Sequence, residues 1–190
     1  MEILKQRILA EGSNLGRGIL KVDSFINHQV DPHLMHACAK ELARRFHLQN
    51  VTRVLTAEIS GIAPALLTAL ELGVPVVYAR KSKPITMPES VFLTTAPSHT
   101  KGIEVNLMVS PEYLSAGERV LIIDDFLATG HTILGLVRLA QAAGSAVVGI
   151  GAVIEKTFEG GRATLSSLGV PIESLAVIVD MSEGRIIFGP

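Results

Sequence analysis

Residues 120–132 read VLIIDDFLATGHT: four apolar residues, two acids, an apolar pair, then a loop of small and hydroxyl-bearing residues. The unbroken apolar run Val120 to Ile123 suits a strand buried on both faces of a parallel sheet. Ligands of such sheets bind beyond the carboxyl ends of the strands, and Asp124 and Asp125 are expected where this strand ends. The loop Ala128, Thr129, Gly130, His131, Thr132 leads directly into a helix expected from Thr132 to Ala143, with Gly144 as its stop. Successive backbone N–H groups at a helix amino terminus favour an anion, so the loop reads as a phosphate cradle. Two carboxylates touching phosphate would repel it. The acid pair therefore has to address something else, and vicinal ribose hydroxyls are the fitting partners, so that a sugar phosphate satisfies both halves.

Working outward, TRVLTAE (residues 52–58), APALLTALELG (63–73) and VPVVYARK (74–81) alternate β-rich and helical texture, the mark of a parallel sheet with crossover helices. VLTAE leads through Glu58, Ile59, Ser60 and Gly61 into a helix, which makes a second anion nest at a neighbouring strand end. Arg80, Lys81 and Lys83 follow the next strand, where cations can neutralise a departing anion. Between Lys81 and Pro111, VFLTTAP and IEVNLMVSP flank the turn-rich SHTKG, which predicts an antiparallel hairpin extending off the sheet as a lid. AVVGIGAVIE predicts a further strand that delivers Lys156 and Phe158 to the ligand side. Before the sheet, MEILKQRILAEG predicts an amphipathic helix, ILKVDSFINHQV an irregular stretch, and Pro32 the start of a longer helix. After Gly160 the pattern reads as irregular short elements. The expectation is one domain, 1–190, with a core over about 37–155 and a hood built from about 1–36 and 156–190.

Composition narrows the function. The chain has 190 residues, is 48% hydrophobic, has no Trp, and carries a net charge of −1. A chain this long buries a large core. Without a broad basic surface, nucleic acid is not an expected partner. No apolar run approaches the about 20 residues that span a bilayer, so no membrane is expected either. One cysteine, Cys38, suits a reducing compartment, and the cytoplasm is the expected location. His28, His33 and His36 invite a metal reading, but histidines three apart on a helix without a third ligand series suit surface or packing roles better, and no protein metal site is expected.

The run from Val120 to Thr132 resembles the signature of type I phosphoribosyltransferases in its apolar positions, acid pair and A-T-G-x-T loop. Phe126 is bulkier than the aliphatic residue usual there and is expected to point into the core. The resemblance implies the type I fold, a mostly parallel sheet flanked by helices. It also implies that Asp124 and Asp125 serve catalysis on the ribose and that residues 128–132 hold phosphoribosyl pyrophosphate. The nest at Glu58, Ser60 and Gly61 is similar to the family's pyrophosphate loop, and a basic residue in the place of Arg80, Lys81 or Lys83 often reaches the partner subunit's site in that family. A homodimer is implied in the same way. The charge on pyrophosphate calls for Mg2+, held mainly by substrate oxygens.

The hood has to choose the base. Lys156 can donate to a ring carbonyl and Phe158 can stack on a ring, which suits a 6-oxo purine and disfavours adenine. ILKVDSFINHQVDP, VPVVYARK and VIEKTF together resemble the bacterial xanthine phosphoribosyltransferases across essentially the whole chain. In that family the first stretch lines the base pocket, which carries over here to Leu20 and Asn27, with Lys156 from the other end. Asn27 offers both donor and acceptor and so fits the 2-oxo group of xanthine, although its chemistry also meets guanine. The resemblance implies transfer of phosphoribosyl to N9 of xanthine in purine salvage, giving xanthosine 5'-monophosphate and pyrophosphate. Transferases for guanine, hypoxanthine, adenine or orotate share the phosphate signature. So do non-catalytic regulators, which normally add a DNA-binding domain.

Overall fold

In the computed structural model, which describes residues 1–97 and 104–189, the change of texture at Val51 marks the entry into the main sheet. Ahead of it lie α1 (Glu2–Glu11), the short pair β1 (Ser13–Asn14) and β2 (Leu20–Lys21), a π-helical turn at Asp23–Asn27, and α2 (Pro32–Phe46). Asp31 caps α2: its carboxylate accepts from the N–H groups of His33 at 3.0 Å and Leu34 at 3.1 Å, and Pro32 has no N–H to leave unpaired. Leu34, Met35, Cys38, Leu42 and Phe46 recur at helical spacing and are buried.

The alternation that follows is β3 (Arg53–Ala57), α3 (Ile62–Leu72), β4 (Val76–Ala79), the hairpin strands β5 (Phe92–Pro97) and β6 (Glu104–Val109), β7 (Arg119–Leu127), α4 (His131–Ala142) and β8 (Ala146–Lys156). Then come α5 (Gly161–Leu165), β9 (Ile172–Asp180) and β10 (Ile187–Phe188). The main sheet has the order β10-β9-β8-β7-β3-β4, parallel throughout except for β10. Alternate residues of β7 feed two cores. Leu121 and Ile123 pack with Phe46, Leu42 and Leu4 on one face, and Val120 and Ile122 pack with Leu136, Val137 and Leu107 on the other. Coverage of both faces explains the continuous apolar runs of β7 and β8.

Three expectations need correction. The tail after Gly160 is not irregular: β9 is a nine-residue strand of the main sheet, paired parallel with β8. Its residues IESLAVIVD mix buried and partly exposed positions, which obscured the run. β7 does not stop at the acid pair but continues to Leu127, because Phe126 and Leu127 keep pairing with Ile154 and Glu155 of β8. The helix after the loop begins at His131, one residue early.

The hairpin forms its own two-stranded sheet, joined to the main sheet through the bridge of Arg80 with Met108. The predicted turn SHTKG lies outside the described residues. Ala96 and Leu107 are buried with Ile133 and Leu136 of α4, so the strands are docked on the core. The chain ends meet over the other end of the sheet. The Lys5 ammonium donates to the Gly189 carbonyl at 3.0 Å, the Asn14 amide donates to the carbonyls of Met181 at 2.7 Å and Arg185 at 2.8 Å, and the terminal amine of Met1 donates to the Leu175 carbonyl.

Candidate active site

Gly130 sits at φ +80 as the amino-terminal cap of α4, and its neighbour Gly161 packs against it. A Cβ at Gly130 would stand 3.1 Å from the Gly161 carbonyl oxygen, so both the left-handed backbone and the close approach require glycine. No side chain caps this helix end. Its first N–H groups therefore open on a cavity of about 560 Å³. Ala128, Thr129, Gly130, His131 and Thr132 all line that cavity, together with Asp124 and Asp125 from β7.

The hood residues Leu20, Asn27 and Lys156 line the same cavity, and so do Arg17 and Ile19. Lys156 is nearly buried, and its ammonium donates to the Gly18 carbonyl at 2.9 Å. Phe126 departs from expectation. It packs partly against the core but also lines the cavity, with the Lys156 ammonium 5.7 Å from its ring centroid. Phe158 departs in the opposite sense: it is not a lining residue, is 45% exposed, and lies beside Gly18 on the hood. The strand carries alternate residues to opposite faces, and Phe158 lies past the end of β8 in a 3-10 turn, where that alternation no longer applies.

A smaller cavity of about 130 Å³ adjoins the first, sharing Asp124, Asp125, Ser60 and Thr132, and adding Glu58, Gly61 and Lys81. Gly61 is held close to the acid pair: a Cβ there would stand 2.3 Å from Thr56 Oγ1 and 2.7 Å from Asp124 Oδ1. Glu58 acts as a brace, pairing with Arg80 at 2.8 Å and accepting from the Lys81 backbone N–H at 2.6 Å. Arg80 and Lys83 do not line either cavity; the Lys83 ammonium donates to the Glu89 carbonyl at 3.1 Å. Another hollow of about 420 Å³ lies along β4, lined by Tyr78, Arg80 and Tyr113 among others. It has neither the open helix terminus nor the acid pair.

Asp124 is 8% exposed, and burial pushes its carboxyl well above the usual carboxylate range. The adjacent Asp125 carboxylate raises it further, while Lys81 opposes the shift. Asp125 in turn accepts from the Asn27 amide at 3.0 Å, and its backbone N–H donates to Asp124 Oδ1 at 3.0 Å. Among the described residues no group of three or more His, Cys, Asp and Glu side chains is placed to hold a metal ion, and His36 instead meets Glu71 at 2.7 Å.

Residues 30–164 match the phosphoribosyl transferase domain. The chain belongs to the phosphoribosyl transferase family. It is 52% identical over 184 residues to a xanthine phosphoribosyltransferase of Deinococcus deserti, covering 97% of this chain and 95% of that one. A xanthine phosphoribosyltransferase of Leuconostoc mesenteroides is 49% identical, with 99% and 100% covered. The fold is shared with solved adenine phosphoribosyltransferases. That of Rhodothermus marinus superimposes with a TM-score of 0.75 at 28% identity, over 93% of this chain and 97% of that one. That of Giardia lamblia, complexed with 9-deazaadenine, gives 0.76 at 22% identity, over 93% and 98%. Among the described residues no helix is long and apolar enough to cross a membrane.

Proposed function

We propose that this enzyme transfers the phosphoribosyl group of 5-phosphoribosyl-1-pyrophosphate to N9 of xanthine, giving xanthosine 5'-monophosphate and pyrophosphate. The observation that carries the reading is a single cavity with an open helix terminus and an acid pair at one end and Asn27, Phe126 and Lys156 at the other. The likeness to xanthine phosphoribosyltransferases over nearly the whole chain supports the same base.

N9 of the base attacks C1 of the ribose, the bond from C1 to the pyrophosphate oxygen breaks, and its electron pair leaves with pyrophosphate; the N9 proton is released. The transition state is oxocarbenium-like, as in other glycosyl transfers. Residues 128–132 hold the 5'-phosphate, while Ser60, Gly61 and Lys81 hold the pyrophosphate. Asp124 and Asp125 face the ribose, where nearby positive charge favours the ionised carboxylate that burial alone disfavours. Charge neutralisation on the departing pyrophosphate is the chemistry that a bound Mg2+ supplies. The hard oxygens of the acid pair, lining the small cavity, fit an ion held mainly by substrate oxygens. Catalysis is positioning and electrostatics, with no covalent bond to the protein. Lys156 donates to a carbonyl of the base, Asn27 serves a second polar edge, and Leu20 with Phe126 encloses the ring. The enzyme acts as a homodimer in the cytoplasm.

The test is pyrophosphate release with Mg2+ and phosphoribosyl pyrophosphate, given xanthine, guanine, hypoxanthine, adenine and orotate separately. Preference for xanthine is the expected result. Preference for another base would overturn the pocket assignment, and no release with any base would leave a sensor of phosphoribosyl pyrophosphate in its place.

A further inference from the structure

Lys156 and Glu159 leave the end of β8 three residues apart and turn back toward each other across the 3-10 turn Thr157–Glu159. Their side chains form an ion pair with little solvent access, 6% and 13% exposed. The Lys156 ammonium also donates to the Gly18 carbonyl at 2.9 Å, on the hood loop that closes the cavity. A lysine ammonium has three N–H donors. Gly18 and Glu159 take two of them, and neither lines the cavity that Lys156 lines. A four-carbon stem is otherwise free to rotate, and a compact charge so little hydrated is stabilised only when paired.

We propose that Glu159 is a positioning residue of the base pocket, fixing the Lys156 ammonium through their ion pair so that its third N–H points at a carbonyl of the base. Glu159 does not touch the base and does not line the cavity. It acts through Lys156, and it sets base affinity without entering the chemistry at C1. The same pair anchors the hood, because Lys156 bonded to Gly18 ties β8 to the loop that carries Ile19 and Leu20. The inference rests on the reading of Lys156 as a residue that binds the base.

Steady-state kinetics of the Glu159→Ala and Glu159→Gln variants test it. Losing one well-placed charged hydrogen bond weakens binding by about tenfold to a hundredfold. For Glu159→Ala the KM for xanthine should rise by about tenfold, with kcat and the KM for phosphoribosyl pyrophosphate changed less than about threefold. Glu159→Gln, whose amide oxygen still accepts from the ammonium, should recover most of the loss. An unchanged KM for xanthine in Glu159→Ala, a parallel loss in both KM values, or a Gln variant as impaired as Ala would each overturn the role. Should the unsubstituted enzyme itself release no pyrophosphate with xanthine, the base assignment fails instead, and the two failures are told apart.

Discussion

The side-chain amide of Asn27 donates to Asp125 Oδ2 at 3.0 Å, joining a hood residue to a strand-end carboxylate 98 residues along the chain. Both residues line the cavity, Asn27 in the part assigned to the base and Asp125 in the part assigned to the ribose. A ribose hydroxyl that donates to Asp125 shares the carboxylate with Asn27, and a base that accepts from Asn27 shares the two N–H donors of its amide with Asp125.

Asn27→Ala removes the base contact and frees Asp125 together. The expected outcome is a KM for xanthine raised by about tenfold, the size of one lost hydrogen bond in a buried site. The KM for phosphoribosyl pyrophosphate should stay level or fall. Initial-rate measurements varying each substrate in turn check this, and a KM for phosphoribosyl pyrophosphate that rises as far as that for xanthine would place Asn27 on the phosphate side.

Asp124 gives a pH prediction. Burial raises its carboxyl above the ordinary value of 3.8, so the folded protein holds the proton in a range where the unfolded chain has lost it. Its contribution to stability is fully present below 3.8 and is lost as pH rises through the raised value. The free enzyme should lose melting temperature across that window. Asp124→Asn cannot ionise, so it should flatten the fall and melt higher than the unsubstituted protein above that window. Its turnover should nonetheless drop by about a hundredfold or more, since the lost negative charge stabilised the positive charge that develops on the ribose in the transition state. Thermal melts from pH 4 to pH 9 without substrates, paired with rates at saturation, give both readouts.

The two phenylalanines make a contrast. Phe126 lines the cavity and Phe158 does not. Phe126→Ala should raise the KM for xanthine by about fivefold to tenfold, the scale of a lost aromatic contact, whereas Phe158→Ala should leave it within about twofold. The reverse ranking would return the stacking role to Phe158.

The phosphate loop was legible because its residues are contiguous: strand, acids, loop and helix follow one another, and local rules suffice. The start of α2 was legible for the same reason, through Pro32 at its first position. What failed depends on partners far along the chain. β9 is a strand because β8 offers it an edge, and its own pattern does not announce this. Phe126 lines the cavity because β7 runs on past the acid pair, and Glu159 matters only because the turn after β8 folds it back onto Lys156. Arg17 lies outside the stretch ILKVDSFINHQVDP and had no motif to mark it, while Ile19 opens that stretch but was not singled out within it; the cavity lining marks both.

Glu155, one residue before Lys156, is 1% exposed and meets Arg162 through two contacts, at 2.8 Å and 2.5 Å, while accepting from the Ser174 hydroxyl at 2.6 Å. Arg162 also donates to the Ile172 carbonyl at 2.9 Å, so the cluster fastens α5 to the start of β9. Arg162→Ala would leave a buried carboxylate with Ser174 as its one remaining side-chain partner among the described residues. Breaking a buried pair on one side costs about 3 kcal/mol even with a half-exposed guanidinium. For a chain of this size that corresponds to a melting temperature lower by about 6 to 12 °C. Neutralising the stranded acid as well, in Arg162→Ala with Glu155→Gln, should restore part of the loss, because an amide tolerates burial better than a charge. Thermal melts of both variants measure the difference. A double variant no more stable than Arg162→Ala would mean that the loss comes from the missing tie to Ile172 and not from the buried charge.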